Sequence, residues 1–208
     1  LILLDNDEHY VVAFFACLYA GMIAVPVFPP ESAKQQHLAR LLAIAADSQA
    51  ACVLTSTTII DVVASASEGF GSTELIPVDA VDESRAEHWI EHHPKRGDIA
   101  FLQYTSGSTA TPKGVMVSHG NLMVNERAIE TGFSIGADDV FVSWLPLYHD
   151  MGLIGGLLQP IYRGIPSVLM SPTFFLQRPV RWLEAISRFR GTISGGPDFS
   201  YRLCLDRI

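Results

Sequence analysis

Short apolar runs alternate along the chain with longer segments whose apolar residues recur at helical spacing. The runs at residues 1–4, 51–55 and 99–104 have a length typical of buried strands. Residues 37–48 show the helical pattern instead, and the longer apolar stretch at 8–20 is predicted to be a buried helix. Strands and helices that alternate in this way are typical of a mostly parallel sheet with helices on both faces. The pattern therefore predicts an α/β fold.

The same alternation continues on both sides of a break near residues 132–139, which are rich in glycine and aspartate. Before the break we predict helices at 58–66 and 121–130 and strands at 22–28, 75–78 and 115–117. After it we predict strands at 140–145, 167–170 and 192–194, a helix reaching Leu158, and a helix over 179–189 with Pro179 in its first turn. The pattern predicts an α/β subdomain at 1–133 and the start of a second one at 134–208.

Residues 10–30 contain no charged side chain, which raises the question of a membrane span. Prolines at 26, 29 and 30 limit the apolar stretch to 16 residues, 10–25, whereas a spanning helix needs about 20. We therefore predict a buried helix that stops at Gly21, followed by a strand, and no transmembrane segment.

The composition narrows the class of protein. Hydrophobic residues make up 49% of the 208 residues and the net charge is −8, which argues against disorder and against a general nucleic-acid binder. Cys17, Cys52 and Cys204 lie far apart with no CxxC spacing, as expected for reduced thiols in a cytoplasmic protein. The chain starts at Leu1 without a signal-peptide pattern and stops within a helical pattern, so we expect a piece of a larger protein.

Residues 88–92 match the HxxEH pattern of one class of zinc peptidase. Such a site requires two histidines on one face of a helix, with the glutamate available as a base. Here the stretch is short and polar, and Pro94 follows it directly. We predict a solvated connector at this position and no metal site.

The strongest chemical signal is the loop at 105–114, which lies between two strand-like runs. It has five hydroxyl side chains, two glycines and one lysine, and no large apolar residue. Hydroxyls and free backbone N–H groups donate hydrogen bonds, glycine permits close approach, and lysine adds a positive charge. We predict a phosphate-binding loop for ATP with these binding residues: Thr105, Ser106, Gly107, Ser108, Thr109, Thr111, Lys113 and Gly114.

Two common nucleotide-binding motifs do not fit this loop. In a Walker A loop that starts at Gly107, the second glycine would stand where the chain has Pro112, and Gly114 follows the lysine where Ser or Thr is required. The glycines are also too far apart for GxGxxG.

The loop closely resembles the signature of adenylate-forming enzymes, which begins Thr-Ser-Gly-Ser-Thr and ends Pro-Lys-Gly. Ala110 stands where that superfamily usually has glycine. The segment 144–155, with its Trp-Leu-Pro and His-Asp-Met-Gly-Leu, is similar to the fatty acyl-AMP ligases, and so are 14–27 and 194–204. The likeness thus extends over most of the chain.

This resemblance implies the layered αβαβα N-terminal domain of adenylate-forming enzymes, with two mostly parallel sheets flanked by helices. It implies that the complete enzyme uses ATP and Mg²⁺ to convert a fatty acid to acyl-AMP, and then passes the acyl group to the phosphopantetheine of an acyl carrier protein. Lys113 and His149 are the implied catalytic residues. The implied substrate-binding residues are His149, Asp150, Met151, Gly152, Gly195, Gly196, Pro197, Ser200 and Tyr201.

Several alternatives stay open at this point. Asp150 either orients His149 or caps the helix that begins near Met151. The acceptor is either a carrier protein or coenzyme A, as in an acyl-CoA synthetase. A more remote alternative is an α/β-hydrolase that uses Ser194 with His149, although Thr192 stands where its GxSxG elbow needs glycine. The last alternative is that this piece is a non-catalytic nucleotide-binding module. The resemblance implies further motifs beyond Ile208, so we expect the piece alone to be inactive.

Overall fold

The computed structural model describes residues 1–29, 35–64, 70, 73–105 and 112–207. These form two compact units, Leu1–Gly120 and Asn121–Ile208. The division falls near the start of the helix His119–Phe133, whereas the sequence pattern places the boundary at the end of that helix. The domain limits at 133 and 134 stay a prediction.

The elements of the described residues follow the predicted alternation. The strands are β1 Cys52–Thr55, β2 Glu74–Pro77, β3 Ile99–Thr105, β4 Lys113–Ser118, β5 Phe141–Ser143 and β6 Ser167–Leu169. The α-helices are α1 Glu8–Tyr19, α2 Gln35–Asp47, α3 Ile60–Ala64, α4 His119–Phe133, α5 Gln159–Arg163, α6 Pro172–Gln177, α7 Val180–Phe189 and α8 Asp198–Arg207. Short 3₁₀ helices cover Val78–Ala80 and Glu83–His88, and a π-helix covers Met151–Leu158.

Short strands of the first unit align into one mostly parallel layer. Strand β1 pairs in parallel with β2, and Ile2 bridges both β1 and Pro26 in the same sense. Ala24 then bridges β3 in parallel, and β4 adds antiparallel to β3. The strands predicted at 1–4 and 22–28 are therefore present as bridged extended segments, and the layer ends in an antiparallel hairpin.

Helix α1 covers part of this layer through its apolar side chains. Its N-cap is Asp7, whose carboxylate accepts a hydrogen bond from the Tyr10 N–H at 3.2 Å. Tyr10 and Phe14 are fully buried, and the Phe14 ring meets Phe101 of β3 edge-on at 5.9 Å. Gly21 follows the helix with a φ of +67°, as expected for its predicted end. Among the described residues, no helix combines the length and the apolar character that a membrane span requires.

The second unit has a smaller parallel sheet and an aromatic core. Strand β5 pairs with β6, and Ile193 bridges β5 in parallel. The strand predicted at 192–194 is thus a single bridge. Trp144 stacks on Phe175 with ring centroids 4.1 Å apart, and Trp182 meets Trp144 edge-on. This cluster fixes the segment that leaves β5, which carries the predicted catalytic histidine.

Parts of the second unit differ from the sequence pattern. The pattern assigns no element to residues 171–178, where α6 forms because the Ser171 side chain accepts from the Phe174 N–H at 3.1 Å. Pro179 precedes helix α7 as its N-cap instead of occupying its first turn. The residues after Asp150 form a π-helix, which a pattern search at a period of 3.6 does not anticipate.

Candidate active site

Strands β3 and β4 carry the two ends of the predicted phosphate loop. They pair so that Thr105 lies directly opposite Lys113, and both side chains are exposed. Directly opposite residues share one face of a sheet, so a hydroxyl and an ammonium group stand together at the end of this ladder. The other predicted loop donors, Ser106, Gly107, Ser108, Thr109 and Thr111, lie outside the described residues, as does Ala110.

Gly114, one residue beyond Lys113, lies against the ring of Tyr104. A Cβ at Gly114 would lie 2.9 Å from the ring Cζ, closer than real side chains approach. The Tyr104 hydroxyl donates to the Asp47 carboxylate at 2.5 Å, and burial followed by this hydrogen bond raises the pKa of Tyr104 well above its usual value. Gly114 therefore has a packing role on the strand, and Tyr104 and Asp47 join the hairpin to helix α2.

A turn after β5 presents the predicted catalytic histidine of the second unit. The His149 N–H donates to the Pro146 carbonyl at 3.1 Å, and the His149 side chain is exposed. Asp150 accepts a hydrogen bond from the Met151 N–H at 2.7 Å at the start of the π-helix. Of the two roles left open for Asp150, capping is the one with an observed hydrogen bond.

A cavity of about 560 Å³ lies within the second unit and is largely apolar. Asp150, Met151 and Gly195 are the predicted substrate-binding residues that line it. Its other walls come from helix α4, strand β5, the π-helix and the segment at 193–194: Asn125, Ile129, Phe133, Phe141, Val142, Ser143, Leu145, Ile154, Gly155, Gly156, Ile193 and Ser194. The structure thus brings together residues that are widely separated in the sequence.

Other predicted substrate-binding residues have packing contacts away from this lining. Gly152 is buried so closely against the Pro146 carbonyl that a Cβ would overlap it. The buried Ser200 hydroxyl donates to the Pro197 carbonyl at 2.7 Å near the start of helix α8. A Cβ at Gly196 would lie 2.7 Å from the Ser200 oxygen. These contacts are local packing contacts of the backbone.

Tyr201 and Ser194 contact the core tryptophan of helix α7. Tyr201 packs against Trp182 with ring centroids 5.4 Å apart and lines a second cavity beside it. Trp182 donates its indole N–H to the Ser194 hydroxyl at 2.8 Å, and that hydroxyl donates to the Val142 carbonyl at 2.6 Å. Both hydrogen bonds engage the Ser194 hydroxyl with the fold, whereas the hydrolase alternative needs that hydroxyl to donate to His149.

Glu126 on helix α4 is a buried acid that the sequence analysis missed. Its side chain is 0% exposed, and so is that of Gln159. In the amide orientation that satisfies its neighbours, Gln159 donates to the Glu126 carbonyl at 2.9 Å and to its carboxylate Oε2 at 2.5 Å. Burial raises the pKa of Glu126 to about 7, because the ionised form loses its hydration. Periodicity alone could not reveal a glutamate on a buried helical face.

The HxxEH pattern does not lie on a continuous helix. The 3₁₀ helix Glu83–His88 ends at the first histidine, and the Trp89 indole donates to the Tyr19 carbonyl at 3.3 Å. The part of the chain that the structure describes contains no group of three or more His, Cys, Asp or Glu side chains able to hold a metal ion.

Comparison with known proteins identifies the family of this chain. The family model described as AMP-binding enzyme matches residues 1–206. The chain belongs to the AMP-binding enzyme family. The match includes the hairpin that carries the predicted phosphate loop and the cavity of the second unit.

Relatives within the AMP-binding enzymes include two bacterial ligases of medium-chain fatty acids and acyl carrier proteins. TtuA of Teredinibacter turnerae is 39% identical over 248 residues, covering 100% of this chain and 38% of TtuA. JamA of Moorena producens is 40% identical over 212 residues, covering 100% of this chain and 36% of JamA. The chain therefore spans little more than a third of the length of these relatives.

Solved structures of AMP-binding enzymes share the fold. The fatty acyl-adenylate ligase from L. pneumophila, in complex with acyl adenylate and pyrophosphate, superposes with a TM-score of 0.91 at 42% identity. That match covers 100% of this chain and 36% of the ligase. The prediction of the mixed α/β N-terminal domain of adenylate-forming enzymes is confirmed.

Proposed function

We propose that the full-length protein containing this chain activates a fatty acid with ATP. A carboxylate oxygen attacks the α-phosphorus, the bond from that phosphorus to the pyrophosphate oxygen breaks, and acyl-AMP and pyrophosphate form. The acyl group then passes to the phosphopantetheine thiol of an acyl carrier protein, and AMP leaves. Mg²⁺ bound with ATP would offset part of the phosphate charge.

The observation that carries this proposal is the largely apolar cavity of the second unit. Its volume of about 560 Å³ falls within the range of small-molecule pockets. Its apolar lining suits an alkyl chain, because burial of methylene groups is favourable. The relatives named as fatty-acid ligases support the same substrate class.

We assign the charge chemistry to exposed polar side chains. Two anions must meet when a carboxylate approaches ATP, so preorganised donors and cations are needed. Lys113 would contact the β- or γ-phosphate and stabilise the leaving pyrophosphate, with Thr105 donating beside it. His149 would orient the carboxylate or contact the α-phosphate, and its exposed side chain is available for this role.

Product analysis on the full-length protein tests the proposal. With ATP, Mg²⁺ and a fatty acid, we expect acyl-AMP and pyrophosphate, detected by mass spectrometry and by a coupled phosphate assay. Addition of phosphopantetheinylated carrier protein should give an acylated carrier, whereas coenzyme A should give little acyl-CoA. Acyl-CoA as the main product would show that the acceptor is coenzyme A and not a carrier protein. Absence of acyl-AMP with every fatty acid would contradict the proposal.

A further inference from the structure

Two polar contacts join helix α4 to helix α5, and we name them together the helix clamp. The first is the buried pair of Glu126 and Gln159. The second joins the Glu130 carboxylate to the Arg163 Nε at 3.0 Å, and both of those side chains are partly exposed. The partners are four residues apart on each helix, so the two contacts lie about one turn apart.

The clamp lies beside the cavity without occupying it. On helix α4, the cavity is lined by Asn125, Ile129 and Phe133, which recur every four residues. Glu126 and Glu130 each follow one of these residues and are therefore rotated by about 100° around the helix. The clamp face and the cavity face of α4 are adjacent, so a change in the clamp would shift or rotate the cavity wall.

The other end of the clamp adjoins the π-helix, which forms another part of the cavity wall. The Gln159 N–H donates to the Ile154 carbonyl, the five-residue step that defines a π-helix. Ile154 and Gly155 both line the cavity. A return to α-helical spacing would rotate these residues relative to the cavity. The side chain of Gln159 holds the end of this segment against Glu126.

Substitution of only one member of the buried pair should reduce stability. Removal of one partner leaves the other polar group buried without its hydrogen bond, whereas an isosteric amide preserves that bond. The Glu126 Oε1 already has no partner among the described residues. Gln159 is therefore the side-chain contact that holds the Glu126 carboxyl group in place.

We propose that Glu126 and Gln159 are positioning residues that hold the two helical walls of the cavity at the spacing that a long acyl chain requires. This inference rests on the proposed function, because it assigns the cavity to the acyl chain. Neither residue touches the reacting atoms in this role. Their effect on the reaction acts through Ile129 and Phe133 on one wall and Ile154 and Gly155 on the other.

The test compares E126L, E126Q and Q159M in the full-length protein, with E184L as a control for an exposed glutamate on helix α7. Pyrophosphate release is measured with fatty acids from four to sixteen carbons. We expect E126L and Q159M to raise KM for the long acids roughly tenfold. The KM for the shortest acids and for ATP should stay within about twofold of wild type, as should all values for E126Q and E184L.

The outcomes distinguish failure of the positioning role from failure of the proposed function. A loss in E126L and Q159M that is equal at all chain lengths, or a defect in E126Q as large as in E126L, would overturn the positioning role. So would wild-type kinetics in both E126L and Q159M. If one variant fails to fold, the other decides the result. Wild-type protein that releases no pyrophosphate with any fatty acid would overturn the proposed function, and with it the role of the clamp.

Discussion

The β3–β4 hairpin and the cavity of the second unit differ in how the chain builds them. The hairpin is one continuous stretch whose hydroxyl, glycine and lysine residues identify it in the sequence. The cavity takes its walls from helix α4, strand β5, the π-helix and the segment at 193–195, and most of its lining residues are ordinary apolar side chains. Polar chemistry is therefore visible in the sequence, whereas an apolar cavity becomes visible only when the fold assembles it.

Glycines in these two regions show the same difference. At Gly114 of the hairpin, a Cβ would lie 2.9 Å from the Tyr104 ring, so packing explains the residue. At Gly155 of the cavity, a Cβ would meet no atom within 4 Å. The first glycine lets the strand and the ring pack closely, and the second leaves open space at the cavity. Sequence alone does not distinguish these two reasons.

The largest expected effect is at Lys113 and should be independent of the acyl chain. In the full-length protein, K113A should lower pyrophosphate release about 100-fold, because one preorganised charged donor to the phosphates is lost. The loss should be the same for short and long fatty acids. K95A removes another lysine of the first unit and should have normal rates. Undiminished release by K113A would contradict the role of Lys113.

A bulky side chain at Gly155 should also lower activity, but by an amount that depends on the length of the acyl chain. Because the space beside Gly155 is open, G155F should fill the cavity and lower kcat/KM for long fatty acids on the order of tenfold or more. Short acids should react at nearly the wild-type rate. The matched control is G132F, since Gly132 is exposed and a Cβ there also meets no atom within 4 Å. An unchanged chain-length profile in G155F would contradict the assignment of the cavity to the acyl chain.

The packing role of Gly114 can be measured as stability. G114A should reduce the free energy of unfolding by about 1–3 kcal/mol, because the new methyl group overlaps the Tyr104 ring. A Y104A substitution in the same molecule should restore most of the loss that is due to this overlap. A double-mutant cycle in thermal melts measures this coupling. Additive effects of the two substitutions would show that the contact is not the cause.

The smallest expected effect is the pH dependence from Glu126. The pKa of Glu126 is about 7 in the folded protein, above the ordinary glutamate value of 4.5, so the folded state binds the proton more tightly than the unfolded state between these values. Stability should therefore decrease as pH rises, by about 1 kcal/mol between pH 5.5 and 6.5. E126Q lacks this titration and should lose less stability over the same interval. Identical pH slopes for E126Q and wild type in denaturation experiments would contradict this burial effect.

Much of the first unit follows from its sequence pattern because its strands are short apolar runs, helix α1 is an apolar stretch with a capping residue, and helix α2 is amphipathic. Helix α1 begins where Asp7 caps it, and β3 and β4 are close to the predicted ranges. The second unit is harder to predict, because the π-helix depends on tertiary contacts such as that between Gln159 and Glu126. A local period of 3.6 residues contains no information about those contacts.

The candidate site shows the same limit at the level of single residues. The motif at 144–155 indicates Asp150 and Met151, and both line the cavity. Gly152 lies in the same motif but packs against the Pro146 carbonyl. Motif membership does not separate residues that face a ligand from those that shape the backbone. Glu126 lies outside every motif, and its burial is a property of the folded helix alone.

The most direct test is ATP–pyrophosphate exchange by the full-length protein with fatty acids of increasing length, measured in parallel for wild type, K113A and G155F. We predict exchange that depends on the fatty acid in wild type, a uniform loss in K113A, and a loss confined to long acids in G155F. Exchange that no fatty acid stimulates, or the same chain-length profile in all three proteins, would contradict the assignment of phosphate and acyl binding to these two regions.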